Sequence, residues 1–253
     1  MEPITELEID LFADNPPSME EIKKLSEFTH SSERNRLTFA EQVEENVNKT
    51  SAKSVLVSVD FAEIEVLQHR GNWDEATQLL ISSARQVENA GADFILICTN
   101  TMHKMAEAIE ENISIPLLHI ADATAERIKS DGWHTIGLLG TNFTMEEDFY
   151  KGRLAKKYGI KVLVPDEEER AAVHKVIYDE LVLGKINPAS KALYEDIMAH
   201  LVSKGAQGVI LGCTEIGLLV GDGDCTVPLF DTTRIHAIAA VEKALGEGPP
   251  TGE

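Results

Sequence analysis

Two cysteines occupy matching places in this chain. Gly91-Ala92 leads into an apolar run, 94–97, that ends at Cys98-Thr99, and Gly205-Ala206 leads into another, 208–211, that ends at Gly212-Cys213-Thr214. Each unit then continues through a helical stretch to a Pro-led apolar run, Ile115-Pro116-Leu117-Leu118 in the first and Val227-Pro228-Leu229-Phe230 in the second. The carboxyl end of a strand in a parallel sheet is where α/β proteins bind ligands. If a helix N-terminus follows the thiol, its unpaired N–H groups and dipole favour thiolate and lower the thiol pKa. Two such groups on one ligand suit a particular chemistry, in which a proton leaves one face of a stereocentre and another arrives on the opposite face. One sulfur is thiolate and the other thiol, and the roles exchange with the handedness of the substrate. The carbanion formed on the way needs preorganised N–H donors around the substrate carboxylate.

Other readings of the cysteines stand beside this one. A thiol at a strand end is also an ordinary packing residue, and Cys225, which has no counterpart in the repeat, reads as a small buried hydrophobe. A redox dithiol lacks the Cys-x-x-Cys spacing, and three widely spaced cysteines give neither a zinc pattern nor a disulfide framework. The 43 acidic and 23 basic residues leave a formal net charge of -20, which excludes nucleic acid and anionic membrane surfaces as partners. The same charge repels an acidic substrate, so a site for one needs strong local donors. No apolar run reaches membrane-spanning length and the N-terminus carries no signal-peptide core, so a cytoplasmic location is expected.

The elements that must position the cysteines are legible as short apolar runs. Strands are expected over 54–59, 94–97, 117–120, 135–139, 160–164, 208–211 and 227–230, most of them near-continuously apolar, as strands buried on both faces are. Helical spacing of apolar residues covers 73–90 and 194–202. Strand alternating with helix predicts an α/β fold with mostly parallel sheets. The repeat divides it into two pseudo-symmetric three-layer α/β halves with a cleft between them. The first covers 38–130, completed by a C-terminal helix over 232–246, and the second covers 131–231. An atypical segment, 1–37, precedes them and a flexible tail, 247–253, follows.

The chain resembles the aspartate/glutamate racemase family, especially its broad-specificity bacterial branch. The resemblance is carried by Val59-Asp60-Phe61-Ala62-Glu63-Ile64 with Gln68, by Cys98-Thr99-Asn100-Thr101-Met102-His103-Lys104 and by Leu117-Leu118-His119-Ile120-Ala121-Asp122-Ala123-Thr124. It continues in Leu139-Gly140-Thr141-Asn142-Phe143-Thr144-Met145, Gly212-Cys213-Thr214-Glu215-Ile216-Gly217 and Phe230-Asp231-Thr232-Thr233-Arg234-Ile235-His236. It implies racemisation of an acidic amino acid, aspartate or glutamate, without pyridoxal phosphate, other cofactor or metal, by a protein that is commonly a homodimer. The catalytic pair falls on Cys98 and Cys213. Adjacent side chains on a strand point to opposite faces, so Cys98 and Thr99 cannot both aim inward from a regular strand. Cys98 is expected to face the substrate, with Thr99 as a backbone or hydroxyl donor. Asn100 and Thr101 fall where the family holds the substrate carboxylate, and Thr141 and Thr144 occupy the matching turn of the second half. Thr214 offers a donor beside Cys213, and Gln68 a contact to the side-chain carboxylate. Each of these polar residues also reads as a helix N-cap. Lys185 is a further candidate cation, His103 and Arg234 fit a site wall or a supporting role, and His119 and His236 read as structural.

The first half departs from the pattern at its start. Symmetry with Thr135-Ile136-Gly137-Leu138-Leu139-Gly140-Thr141 calls for a Gly-rich strand and turn, yet 1–37 is acidic, Pro-broken and polar. The alternating run 4–11 suits an edge strand, and 18–28 a short capped helix. A family-like helix resumes at about Phe39. This departure leaves a second reading open, in which the chain is a catalytically impaired relative that binds a small dicarboxylate or serves as an interaction subunit.

Overall fold

The computed structural model describes residues 53–246. The chain is a mixed α/β protein with parallel sheets. In the second half the strands are β3 (Thr135–Gly140), β4 (Lys161–Leu163), β5 (Val209–Gly212) and β6 (Leu229–Asp231), all parallel, in the order β4-β3-β5-β6. The central pair is apolar throughout, and Ile136, Leu138, Leu139, Val209, Ile210 and Leu211 lie in one buried core. Helices α4 (Ile120–Ser130), α6 (Asp148–Tyr158), α7 (Glu167–Asp179) and α8 (Pro188–Ser203) contribute Ile128, Leu154, Val173, Tyr194 and Leu201 to that core. Local chemistry sets their starts. Asp166 and Glu169 form a reciprocal capping box on α7, and Asn187 caps α8 with proline in its first turn.

The first half is thinner among the described residues. Helices α1 (Phe61–His69) and α2 (Trp73–Asn89) precede β1 (Ile95–Leu96), which pairs in parallel with β2 (Leu117–Leu118). Between the strands run a 3₁₀ turn (Thr101–Met105) and α3 (Ala106–Glu110). Their apolar faces meet in a separate core containing Ile64, Leu67, Ala76, Ile81, Ile95, Met102 and Ile109. The last helix, α10 (Thr232–Leu245), leaves the second sheet and packs on α4, and His236 Nε2 donates to the Leu118 carbonyl at 2.8 Å.

Most strand expectations are met in shortened form. The run 117–120 ends early because His119 caps α4, its ring accepting from Ala121 N–H, and Ile120 is already helical. The strand expected over 54–59 is not formed. Val55 and Leu56 are 45% and 46% exposed, and no described strand lies beside them. A β-branched run without a ladder partner has no reason to hold strand geometry. The expectations for 1–37, for the helix near Phe39 and for the tail 247–253 fall outside the described residues. Among the described residues no helix is long and apolar enough to cross a membrane.

Candidate active site

Three strand ends converge on one cleft. β3 ends at Gly140 and passes through Thr141 into α5 (Asn142–Glu146), with Thr141 Oγ1 accepting from Thr144 N–H at 3.4 Å. β5 ends at Gly212 and passes through Cys213-Thr214-Glu215 into α9 (Ile216–Leu219). β1 is followed by the bend at Cys98-Thr99-Asn100 and then the 3₁₀ turn. Gly140 and Gly212 are register partners, and a Cβ on Gly140 would stand 2.9 Å from the Gly212 carbonyl oxygen. A Cβ on Gly212 would stand 2.8 Å from both the Leu139 carbonyl oxygen and Leu138 Cδ1. The two glycines let these strand ends close on each other with their turns side by side.

The cleft measures ≈ 440 Å³ including its open mouth. The first half lines it with Phe61, Gln68, Thr99, Asn100 and Thr101, and the second with Thr141, Ile177, Tyr178, Val182, Gly212, Cys213, Thr214 and Glu215. Gln68, Thr99, Asn100, Thr101, Thr141, Cys213 and Thr214 are therefore brought together as the sequence suggested. Thr144 is fully buried and does not line the cleft, but its hydroxyl lies 3.3 Å from Thr141 Oγ1 and 3.5 Å from Thr101 Oγ1. Cys98 is half-buried and is not among the lining residues, whereas its neighbour Thr99 is. None of the three cysteines is in a disulfide. Lys185 and Arg234 are exposed and stand outside the lining.

Hydrogen bonds join the halves around this cleft. Thr101 Oγ1 and Thr141 Oγ1 are 3.0 Å apart. Tyr178 Oη donates to Gln68 Oε1 at 3.2 Å, and Gln68 Nε2 donates to Met102 Sδ at 3.0 Å. Asn100 Nδ2 donates to Thr232 Oγ1 at 3.0 Å, and that hydroxyl donates to the Leu211 carbonyl at 2.8 Å. The amide is thereby oriented, yet Asn100 Oδ1 is buried without a partner. A buried acceptor left unpaired costs on the order of 1–3 kcal/mol.

The environment of Cys213 differs from the one anticipated. Sγ donates to Glu215 Oε2 at 3.0 Å, and Thr214 Oγ1 donates to the same oxygen at 2.7 Å. Burial pushes the thiol well above its usual range, and the Glu215 charge and hydrogen bond push it further. The lowered thiol pKa expected from a following helix N-terminus is not found. That helix has 4 residues, and the group nearest the sulfur is a carboxylate.

Behind the first motif lie three buried histidines. His103 Nδ1 donates to the Thr99 carbonyl at 2.7 Å and Nε2 accepts from Ile120 N–H at 3.2 Å, which makes the ring neutral. Its centroid is 4.4 Å from that of His119 and 5.9 Å from that of His236. Burial holds all three pKa values down, to about 3 for His119 and about 4 for His236. They are framework, and none lines the cleft. Sequence reasoning missed Glu215, Phe61, Ile177, Tyr178 and Val182. Glu215 carried a signal, an acidic residue two places after a strand-end thiol. Phe61 lay in a family-like segment, and Ile177, Tyr178 and Val182 sit in ordinary helical patterns.

Residues 31–240 match the family model described as Asp/Glu/Hydantoin racemase. The chain is 26% identical over 174 residues to the broad specificity amino-acid racemase RacX of Bacillus subtilis (strain 168), covering 68% of this chain and 74% of that one. Among solved structures, a candidate Asp/Glu racemase from Yersinia pestis is 50% identical, with a TM-score of 0.80 over 85% of this chain and 94% of that chain. An aspartate racemase homologue from Pyrococcus horikoshii OT3 is 32% identical, with a TM-score of 0.74 over 85% of this chain and 94% of that chain.

Proposed function

The chain belongs to the Asp/Glu/hydantoin racemase family, and from that premise we propose that it interconverts the enantiomers of an α-amino acid by two-base proton transfer without a cofactor. The observation that carries the reading is one cleft lined by Cys213 from the second half and Thr99 from the first. Cys213 is the acid/base group on one face of the α-carbon. The Cys98-Thr99 step supplies the group on the other, and the cavity favours Thr99 over Cys98 as the member that touches substrate. The substrate ammonium is placed near Asn100, whose Oδ1 is a buried acceptor with no hydrogen-bond partner. The hydroxyls of Thr101, Thr141 and Thr214 surround the carboxylate and stabilise the charge that develops as the α-proton leaves.

Aspartate and glutamate are the substrates the family points to. A second reading is favoured by the lining itself, because no lysine or arginine borders the cleft among the described residues while Phe61, Ile177 and Val182 do. A neutral side chain fits that wall with less electrostatic cost. Incubation in heavy water with aspartate, glutamate, alanine or leucine, followed by proton NMR at the α-carbon, tests both. Exchange with any of them that disappears in Cys213→Ala supports the racemase, and the preferred amino acid separates the two substrate readings. Thr99→Ala is expected to lose more activity than Cys98→Ala. The reverse order restores Cys98 to the pair. A protein that binds these amino acids but exchanges no α-proton is the impaired relative instead. The homodimer expected from the resemblance belongs to the same proposal and is tested by sedimentation.

A further inference from the structure

We propose that His103 is a positioning residue for the reaction: its hydrogen bond to the Thr99 carbonyl holds the Cys98-Thr99 step in the direction that presents the first-half acid/base group to its face of the substrate. The inference rests on the racemase reading and adds to it what fixes that group where no sheet does. The ladder between β1 and β2 stops at Leu96 and Leu118, so among the described residues the chain at 98–100 has no strand partner. His103 stands one turn beyond Thr99 and is buried, 2% exposed. Its Nδ1 donates to the Thr99 carbonyl at 2.7 Å and its Nε2 accepts from Ile120 N–H at 3.2 Å, so the ring ties the bend to the start of α4. A trans peptide carries its C=O and N–H on opposite edges, so fixing the Thr99 carbonyl fixes the whole plane between Thr99 and Asn100. With that plane fixed, the bend keeps Thr99 on the cleft and Cys98 off its lining.

The tie needs the two ring nitrogens in unlike states, Nδ1 carrying the proton and Nε2 bare. The surroundings enforce that neutral form. Burial comes first, followed by His119 at the start of α4 and His236 on α10, with Arg153 on α6 adding a smaller share. The other two buried rings take the opposite tautomer, because His119 Nδ1 accepts from Ala121 N–H and His236 Nε2 donates to the Leu118 carbonyl. The second half has no such tie. Its position matching His103 in the repeat is Leu218, 47% exposed. Cys213 instead follows directly on the last residue of β5, Gly212, which is in register with Gly140. Loss of the His103 bond therefore acts on one face of the substrate and leaves the Cys213 face in place.

Exchange in heavy water reads the two faces separately when the D and L forms of aspartate, glutamate, alanine and leucine are each followed by proton NMR. Cys213 removes the α-proton of the enantiomer that points it toward the sulfur: the Cα–H bond breaks, an S–H bond forms and the electron pair stays on carbon. Once the thiol has exchanged with heavy water, it returns a deuteron to the same face, so this enantiomer exchanges even when the first-half group is misplaced. The other enantiomer depends on the first-half group. His103→Gln keeps an acceptor for Ile120 N–H and loses the donor to Thr99, whereas His103→Asn keeps the donor and loses the acceptor. In His103→Gln, exchange of one enantiomer is expected to fall by about 10- to 100-fold relative to the other. It is the same enantiomer that suffers in the more damaging of Thr99→Ala and Cys98→Ala, and His103→Asn is expected to restore the wild-type ratio. Equal losses for both enantiomers in His103→Gln overturn the proposal, and so does a better ratio in His103→Gln than in His103→Asn, the result expected of a mere cap on α4. Should His103→Gln fail to fold, nitrogen NMR of the full-length wild type labelled at histidine carries the test. The His103 ring, assigned by its loss in His103→Asn, is expected in the Nδ1–H form and neutral from pH 7 to pH 5. An Nε2–H ring, or one that takes a proton in that window, overturns the proposal. A wild type that exchanges the α-proton of neither enantiomer sinks the racemase reading alone, and the ring's tautomer then decides the Thr99 tie by itself.

Discussion

Cys98-Thr99-Asn100 and Cys213-Thr214-Glu215 follow matching strands, yet their surroundings differ in kind. The Thr99 carbonyl is held by His103, whose other ring nitrogen accepts from the first N–H of α4, with His119 and His236 packed alongside. The second motif stands on apolar strands and on the close approach of Gly140 and Gly212. The residue before the thiol is Ile97 in one half and Gly212 in the other, and the residue two places after it is Asn100 in one and Glu215 in the other. Matching strand ends thus carry different side-chain contacts, an Asn100 amide held by Thr232 in one and a Cys213–Glu215 contact in the other. Such asymmetry is compatible with racemisation. Enantiomers have equal free energies in water, so kcat/KM must be the same in both directions however unlike the two groups are.

The largest effect expected is the loss of α-proton exchange in Cys213→Ala, by about 10³- to 10⁴-fold, near the upper range for a positioned acid/base group. If the halves were equivalent, Cys98→Ala would match it. The comparison predicts a smaller loss for Cys98→Ala, and equal losses in the exchange assay would break it.

The second half also depends on its glycine contact in a way the first cannot. Gly212→Ala forces a methyl group to within 2.8 Å of a backbone oxygen and of Leu138 Cδ1. The backbone cannot step aside without breaking the β3–β5 register, so destabilisation of about 2–3 kcal/mol is expected, at the upper end for overpacking. Urea unfolding would measure it. A change below about 0.5 kcal/mol would show that the strand ends are looser than drawn.

What could be read in advance follows the physics of each feature. The strands around 135–139 and 208–211 are nearly continuous apolar runs that are buried on both faces, so composition and fold agree there. The run 54–59 has the same composition but no described partner, and pairing is a non-local fact that composition does not contain. Gln68, Thr99, Asn100, Thr101, Thr141, Cys213 and Thr214 could be found because they sit at strand ends or in family-like motifs. Tyr178 and Ile177 reach the cleft from the far end of α7, and nothing in their own neighbourhood marks them. Which of Cys98 and Thr99 borders the cleft depended on backbone direction after the strand had ended, where alternation no longer applies.

The three histidines behind the first motif give the fold a pH dependence. Each folded-state pKa is depressed by burial, to about 4 for His236 and about 3 for His119. The unfolded chain binds these protons below about pH 6.5 while the folded protein refuses them. Stability is therefore complete above that value and declines as pH falls toward the folded pKa. Between pH 7 and 5 the loss is about 2 kcal/mol for each histidine at most. Unfolding of His236→Asn at the two pH values should show a shallower decline than the wild type. An equal decline would mean that the cluster does not set the acid sensitivity.

A smaller effect concerns the ion pairs between α4 and α6. Asp122 on α4 accepts from Arg153 Nε at 2.6 Å and from Lys157 Nζ at 2.6 Å, both on α6. Burial alone would raise its pKa, but the Arg153 and Lys157 hydrogen bonds outweigh that and hold it at about 2. The Lys157 side chain is 53% exposed, so its share is screened by solvent. Asp122→Asn is therefore expected to cost about 1–2 kcal/mol, mostly through the Arg153 pair. The sign of its pH dependence separates it from the histidines. A depressed carboxyl contributes fully above its unfolded value of about 3.9 and fades only as pH falls through about 2. The cost of Asp122→Asn should accordingly be the same at pH 7 and pH 5, across the window where the histidine contribution changes. If the cost shrinks at pH 5, the ion pair and the histidine cluster are coupled through α4, which carries both Asp122 and the His119 cap.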